Sequence, residues 1–200
     1  MIYPKFIKSG DKIGITAPSD GIAEDIDIKR LNNAIEKFNE LGFKVVETES
    51  VRKSQKGRSN TKEARANELM SLYKNAEVSC IICASGGDFL MEILNLVDYD
   101  LIKKNPKWIQ GYSDPTGLLY LITTTLDIAT IYGNNVKAFG MKEWHKSLSD
   151  NIKLLKGDMI QQTSFEKYEK ERLDNVTGDE GYNLTGEVYW KNVLGGEDVN

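Results

Sequence analysis

Val78-Ser79-Cys80-Ile81-Ile82-Cys83-Ala84, followed directly by Ser85-Gly86-Gly87, decides the fold class of this chain. Uncharged residues that end in a small-residue turn read as a strand buried on both faces. Upstream, Thr61-Lys62-Glu63-Ala64-Arg65-Ala66-Asn67-Glu68-Leu69-Met70 opens a helix that ends near Asn75. Downstream, helical segments are expected over Phe89 to Leu96 and Tyr99 to Lys104. A strand at Lys107-Trp108-Ile109-Gln110-Gly111 follows, then a helix from Pro115 to Leu126 and a strand at Ile128-Ala129-Thr130-Ile131-Tyr132.

The alternation extends toward the N-terminus. Lys12-Ile13-Gly14-Ile15-Thr16-Ala17 is a strand that breaks at Pro18-Ser19-Asp20-Gly21. Ile28, Leu31, Ile35 and Phe38 recur at the helical period. Asp25 or Asp27 is placed to cap that helix, and Gly42 stands where a left-handed C-terminal cap belongs. Phe43 to Thr48 returns as a strand, and Arg52 to Asn60 reads as an exposed polar loop. Strands separated by helices predict an α/β fold with a mostly parallel sheet flanked by helices.

Ligands on such sheets bind beyond the carboxyl ends of the strands. The post-strand loops Ala17-Pro18-Ser19, Ser85-Gly86-Gly87 and Gly111-Tyr112-Ser113-Asp114 collect small and hydroxyl residues there. Asp114 is expected to cap the helix opening at Pro115.

Composition narrows the function classes. Hydrophobic residues make up 40% of the 200, enough to build a core, and the net charge of −4 offers no basic field for nucleic acid or anionic lipid. No stretch approaches a membrane span and no leader is evident, so a cytoplasmic protein is expected. The Cys80-x-x-Cys83 spacing suggests a redox pair or a zinc half-site. On a strand, however, positions i and i+3 face opposite ways, and the chain holds a single histidine, so no metal is expected. That histidine, His145, lies beside Trp144 among lysines and reads as a partly exposed helical residue. No G-x-G-x-x-G or G-x-x-x-x-G-K-S pattern is present, and no cofactor is expected.

After about residue 135 the pattern changes. Met141 to Leu155 reads as an amphipathic helix and 158–183 as a polar connector. A new strand is expected at Gly186-Glu187-Val188-Tyr189-Trp190-Lys191. The expected organisation is a domain over 1–140, a helix and connector over 141–185, and the start of a truncated second domain over 186–200.

Four segments together carry a likeness. They are Gly10 through Ser19; Ala64-Arg65-Ala66-Asn67-Glu68-Leu69-Met70; Ser85-Gly86-Gly87 through Asp98-Tyr99-Asp100-Leu101-Ile102; and Asn105-Pro106-Lys107 through Gly111-Tyr112-Ser113-Asp114-Pro115-Thr116. With Gly133-Asn134-Asn135 they make the chain resemble the N-terminal half of the LD-carboxypeptidases, serine peptidase family S66, especially the microcin C self-immunity branch. The resemblance implies a flavodoxin- or Rossmann-like N-terminal domain. It also implies hydrolysis of murein tetrapeptides or peptidyl-nucleotides by a Ser-His-Glu triad with a backbone oxyanion hole.

The implied pattern Gly-Gly-x-x-Ser falls on Gly86-Gly87-Asp88-Phe89-Leu90, so Leu90 occupies the nucleophile position. Loss of a triad nucleophile costs on the order of 10⁶-fold in rate. The implied glutamate and histidine would lie beyond residue 200. Gly87 and Asp88 remain as backbone donors, with Ser19, Gly86, Ser113 and Asp114 as substrate-binding positions. Neither Ser85, whose hydroxyl is expected to close the turn, nor Ser113 is expected to replace the nucleophile. The expectation is therefore an inactive relative of these peptidases. A non-catalytic module that binds a peptide or D-amino-acid terminus is the alternative. As a decaying fragment, the chain would expose apolar surface and aggregate or form a homodimer.

Overall fold

The computed structural model describes residues 1–174 and 176–190. Five parallel strands form one sheet: β1 (Lys12–Thr16), β2 (Lys44–Glu47), β3 (Val78–Cys83), β4 (Trp108–Gly111) and β5 (Ile131–Tyr132), in the order β2-β1-β3-β4-β5. The crossovers run through α1 (Asp25–Glu40), α2 (Lys62–Lys74), α3 (Tyr99–Lys104) and α4 (Thr116–Leu126), and α5 (Lys146–Lys156) follows β5. The α/β fold expected from the alternation is the fold observed. Its strand order reverses between β1 and β3, which opens a crevice beyond their carboxyl ends.

Alternation along β3 divides the interior. Cys80 and Ile82 pack with Phe38, Phe139 and Leu148 on one face, whereas Ile81 packs with Leu69, Ile109 and Leu118 on the other. Both cysteines are free and fully buried, and burial pushes their thiols up to about 12. They are packing residues.

Local chemistry sets the boundaries. The Thr61 side chain accepts from the Ala64 N–H at the start of α2, and Gly42 follows α1 with φ of 85°. Neither Asp25 nor Asp27 caps α1. Both lie in its first turn, and Glu24 precedes them without a side-chain cap. There they still complement the helix dipole. The helix expected over Phe89 to Leu96 is instead two 3-10 turns, Leu90–Glu92 and Leu94–Leu96. The helix expected from Met141 begins at Lys146, after a 3-10 turn at Val136–Gly140.

Beyond α5 the segment folds back over α1. Asn33 Nδ2 donates to Asp179 Oδ1 at 2.9 Å, and Arg30 donates to the Glu180 carbonyl at 3.0 Å. The strand expected from Gly186 appears as β7 (Gly186–Glu187), antiparallel to β6 (Lys167–Tyr168). The last expected residue, Lys191, lies outside the described residues. No helix among the described residues is long and apolar enough to cross a membrane.

One charged side chain is wholly inside. Arg65 of α2 has zero exposure. Its Nη1 donates to the Pro18 and Phe89 carbonyls, each at 3.0 Å, and its Nη2 pairs with Glu92 at 2.5 Å. It thus joins the loop after β1 to the loop after β3. Arg65→Ala is expected to leave two carbonyls without a donor and to cost about 3 kcal/mol. Urea unfolding should show a lower midpoint at unchanged slope, and Arg65→Lys, lacking the fork, should not restore it.

Candidate functional site

The loops after β1, β3 and β4 converge at the carboxyl edge of the sheet. Gly87 makes the closest approach. Its φ is +144°, and a Cβ there would lie 2.3 Å from Ser19 Oγ. Only glycine fits this turn without a shift. Ser19 is fully buried, donates its hydroxyl to the Asp114 carboxylate, and accepts from the Phe89 N–H at 3.4 Å. Asp114 Oδ2 also accepts from the Leu90 N–H at 2.8 Å. Asp114 therefore does not cap α4, whose first turn follows Pro115 without a side-chain cap. The carboxylate serves the turn of a neighbouring strand instead.

Leu90 is 1% exposed and packs in the α2–α4 face of the core. A Cβ on Gly117 of α4 would lie 3.3 Å from its Cδ2. The hydrocarbon points into the protein. Its turn is held from outside by Glu92, which accepts from Arg58 at 2.6 Å as well as pairing with Arg65. Those hydrogen bonds, Arg58's first, hold the Glu92 carboxyl down at about 2. The Arg58 guanidinium also lies 3.4 Å from the centre of the Phe89 ring.

A cavity of about 290 Å³ opens beside this turn. Ser85 and Gly86 after β3, Tyr112 and Ser113 after β4, and Asn134 after β5 form its base. The Ser85 hydroxyl makes no hydrogen bond among the described residues, so it does not close the turn. Ser113 stands in the left-handed region at φ 64°, a conformation costly for a residue with a Cβ. Leu90, Ser19, Gly87, Asp88 and Asp114 lie outside the cavity wall.

The other wall was not legible as a site. Arg30, Lys137, Glu169, Arg172, Glu180 and Tyr182 line it. Lys137 pairs with Asp27 at 2.6 Å, and Tyr182 donates to Asn134 Oδ1 at 3.3 Å. Glu180 accepts from the Val176, Thr177 and Gly178 N–H groups. Those backbone donors, that of Thr177 first, hold its carboxyl down at about 2. Arg172 has no carboxylate partner among the described residues. His145 is not inside a helix. Its Nδ1 accepts from the Ser147 N–H at the start of α5, and its ring meets Phe165 and Tyr182 edge-on. No metal-binding cluster occurs among the described residues.

A parallel sheet whose glycine turn and cavity share the carboxyl edge defines the ligand-facing domain of an α/β protein. Residues 13–133 match the family described as LD-carboxypeptidase N-terminal domain, and the chain belongs to that family. It is 37% identical to the microcin C7 self-immunity protein MccF of Escherichia coli over 127 residues, 62% of this chain and 36% of that protein. It is 29% identical to the Probable murein peptide carboxypeptidase of Bacillus subtilis over 163 residues, 81% of this chain and 49% of that protein. The structure of MccF in complex with aspartyl sulfamoyl adenosine superposes with a TM-score of 0.81 at 29% identity, covering 95% of this chain and 59% of that one. The chain spans less than two thirds of the length of each.

The folded pKa of Glu92 lies below its unfolded value, so its contribution to stability is present above the ordinary value of 4.5 and is lost as pH falls toward 2. Chemical denaturation across that window should show wild type losing stability more steeply than Glu92→Gln. Parallel curves would remove Glu92 from the account. Gly87→Ala is expected to lower the thermal midpoint by several degrees, because the added methyl collides with Ser19.

Proposed function

We propose that this domain binds a small peptide or peptidyl-nucleotide at the carboxyl edge of its sheet and does not hydrolyse it through residue 90. The observation that carries this reading is the burial of Leu90 against Gly117. A hydrocarbon can neither attack a carbonyl nor hand a proton to a base, and this one is turned away from the cavity. The serine hydroxyls on the cavity wall, Ser85 and Ser113, face no imidazole: the single histidine is engaged with Ser147. The matched family is described as LD-carboxypeptidase, so the reading is a relative of murein or peptidyl-nucleotide hydrolases that keeps a pocket without the nucleophile.

The cavity and the glycine turn next to it support binding together. Outside the cavity wall, the Gly87 and Asp88 N–H groups make no hydrogen bond among the described residues and lie at an exposed turn. Such donors suit a carboxylate or an acyl oxygen. Arg172 adds a cation, and the Ser113 hydroxyl and Asn134 amide add neutral contacts. MccF, the self-immunity relative, takes an aspartyl sulfamoyl nucleoside. A ligand that joins an acyl group to a polar carrier fits the mixed lining here. The module that recognises a D-amino-acid terminus is the narrower form of the same reading, favoured if the carboxylate alone carries affinity.

Incubation with a murein tetrapeptide or an aspartyl-nucleotide amide, followed by mass spectrometry, is expected to yield no product. Calorimetry with the same compounds should give saturable heat, weakened about tenfold by Arg172→Ala. Turnover abolished by Ser85→Ala or Ser113→Ala would overturn the reading of Leu90. Absence of any heat would overturn the binding reading.

A further inference from the structure

Ser113 is held in a conformation that its own chemistry opposes. At φ 64° its Cβ crowds a carbonyl oxygen, and glycine, asparagine and aspartate are the residues that tolerate this region. Such outliers persist where the surroundings over-determine them, and they cluster at ligand sites. Two neighbours over-determine this one.

The peptide plane before Ser113 is fixed by Asn135. That residue is 6% exposed and precedes the 3-10 turn at Val136–Gly140, where an asparagine side chain ordinarily caps free N–H groups. It makes no such bond. Its amide crosses instead to the loop after β4, accepting from the Tyr112 N–H at 3.2 Å and donating to the Tyr112 carbonyl at 3.4 Å. An N–H only donates and a carbonyl only accepts, so the amide has one orientation here. The plane after Ser113 is fixed by Thr116 of α4. Its N–H and its hydroxyl both donate to the Ser113 carbonyl, the N–H at 3.0 Å. With both planes pinned, Ser113 cannot relax to negative φ without breaking one of the clamps.

The side chain so placed lies against Gly86: a Cβ on Gly86 would stand 3.1 Å from both Ser113 Cβ and Oγ. Both residues line the 290 Å³ cavity, and Ser113 is exposed. Its hydroxyl makes no hydrogen bond among the described residues. The strain therefore yields an open hydroxyl on the cavity wall rather than an internal contact.

We propose that Asn135 is a positioning residue of the ligand site: its clamp on Tyr112 holds Ser113 left-handed and so keeps the Ser113 hydroxyl on the cavity wall, where it hydrogen-bonds the bound molecule. This rests on the reading of the cavity as a ligand site. Asn135 acts through Ser113, since both ends of its own amide are already engaged by backbone.

A double-mutant cycle followed by thermal unfolding tests the clamp. Ser113→Gly is expected to raise the midpoint by about 3 °C, because glycine takes positive φ without strain. In the Asn135→Ala background, where the Tyr112 carbonyl is released, the same change should bring no gain. An undiminished gain there would overturn the proposal. Calorimetry with an aspartyl-nucleotide amide tests what the clamp is for. Asn135→Ala and Ser113→Ala should each weaken binding about tenfold, and the double variant no further. Additive losses would overturn the proposal as well. Asn135→Asp takes the place of the alanine variant in both experiments should that variant fail to fold. Ionised, it accepts from the Tyr112 N–H but cannot donate to the Tyr112 carbonyl; protonated, it restores both bonds. Its affinity relative to wild type should recover as pH falls from 7 toward 4, and a ratio that stays flat would contradict the positioning role. No heat with wild type would overturn the ligand role, while the unfolding cycle would still report whether Asn135 imposes the strain, so failure of the site and failure of the clamp are told apart.

Discussion

A guanidinium with no exposure to solvent is the constraint on which the carboxyl edge of this sheet depends. Burying an arginine is expensive unless its charge is answered. The two terminal nitrogens of Arg65 are answered from separate loops, by the Pro18 carbonyl after β1, the Phe89 carbonyl after β3 and the Glu92 carboxylate one turn further on, while its Nε has no partner among the described residues. None of these groups comes from its own helix. The loops are therefore held at a fixed separation by α2, and the glycine turn between them has one arrangement in which to close.

That arrangement sets the direction of residue 90. The Asp114 carboxylate takes the Leu90 N–H and the Ser19 hydroxyl together, tying the loops after β1, β3 and β4 at one atom. With its amide pulled toward Asp114, Leu90 directs its side chain at Gly117 and the core between α2 and α4. The result is a stable turn, with Ser85, Gly86 and Ser113 left facing the cavity. Residue 90 is thus a packing position in the core between α2 and α4, beside a cavity lined by small and hydroxyl residues.

Much of the fold was legible because hydrophobic period and turn chemistry agree along this chain. The apolar run at β3, the cap at Thr61 and Gly42 after α1 each specify their element locally. The failures share a cause. Asp114 before a helix that opens with proline reads as a cap, but a carboxylate goes where donors lack an acceptor, and the Ser19 hydroxyl and Leu90 N–H are two such donors on the neighbouring loops. Phe89 to Leu96 carries helical composition, yet the Asp114 and Arg65 contacts at its start leave room only for 3-10 turns. Much of the cavity's second wall comes from Glu169, Arg172, Leu173 and the stretch from Glu180 to Tyr182, a segment with no periodicity to read. Arg30 and Asn33 on α1 hold that segment in place through its backbone and Asp179, contacts that no local pattern announces.

The account stands on where one hydrocarbon points, and methyl NMR observes that directly. With ¹³C-labelled leucine, nuclear Overhauser cross-peaks should join the Leu90 methyls to the Gly117 α-protons, and a soluble paramagnetic agent should leave those methyls sharp. Leu90 methyls that broaden with the agent and lack the Gly117 cross-peaks would contradict it, because residue 90 would then face the open cleft.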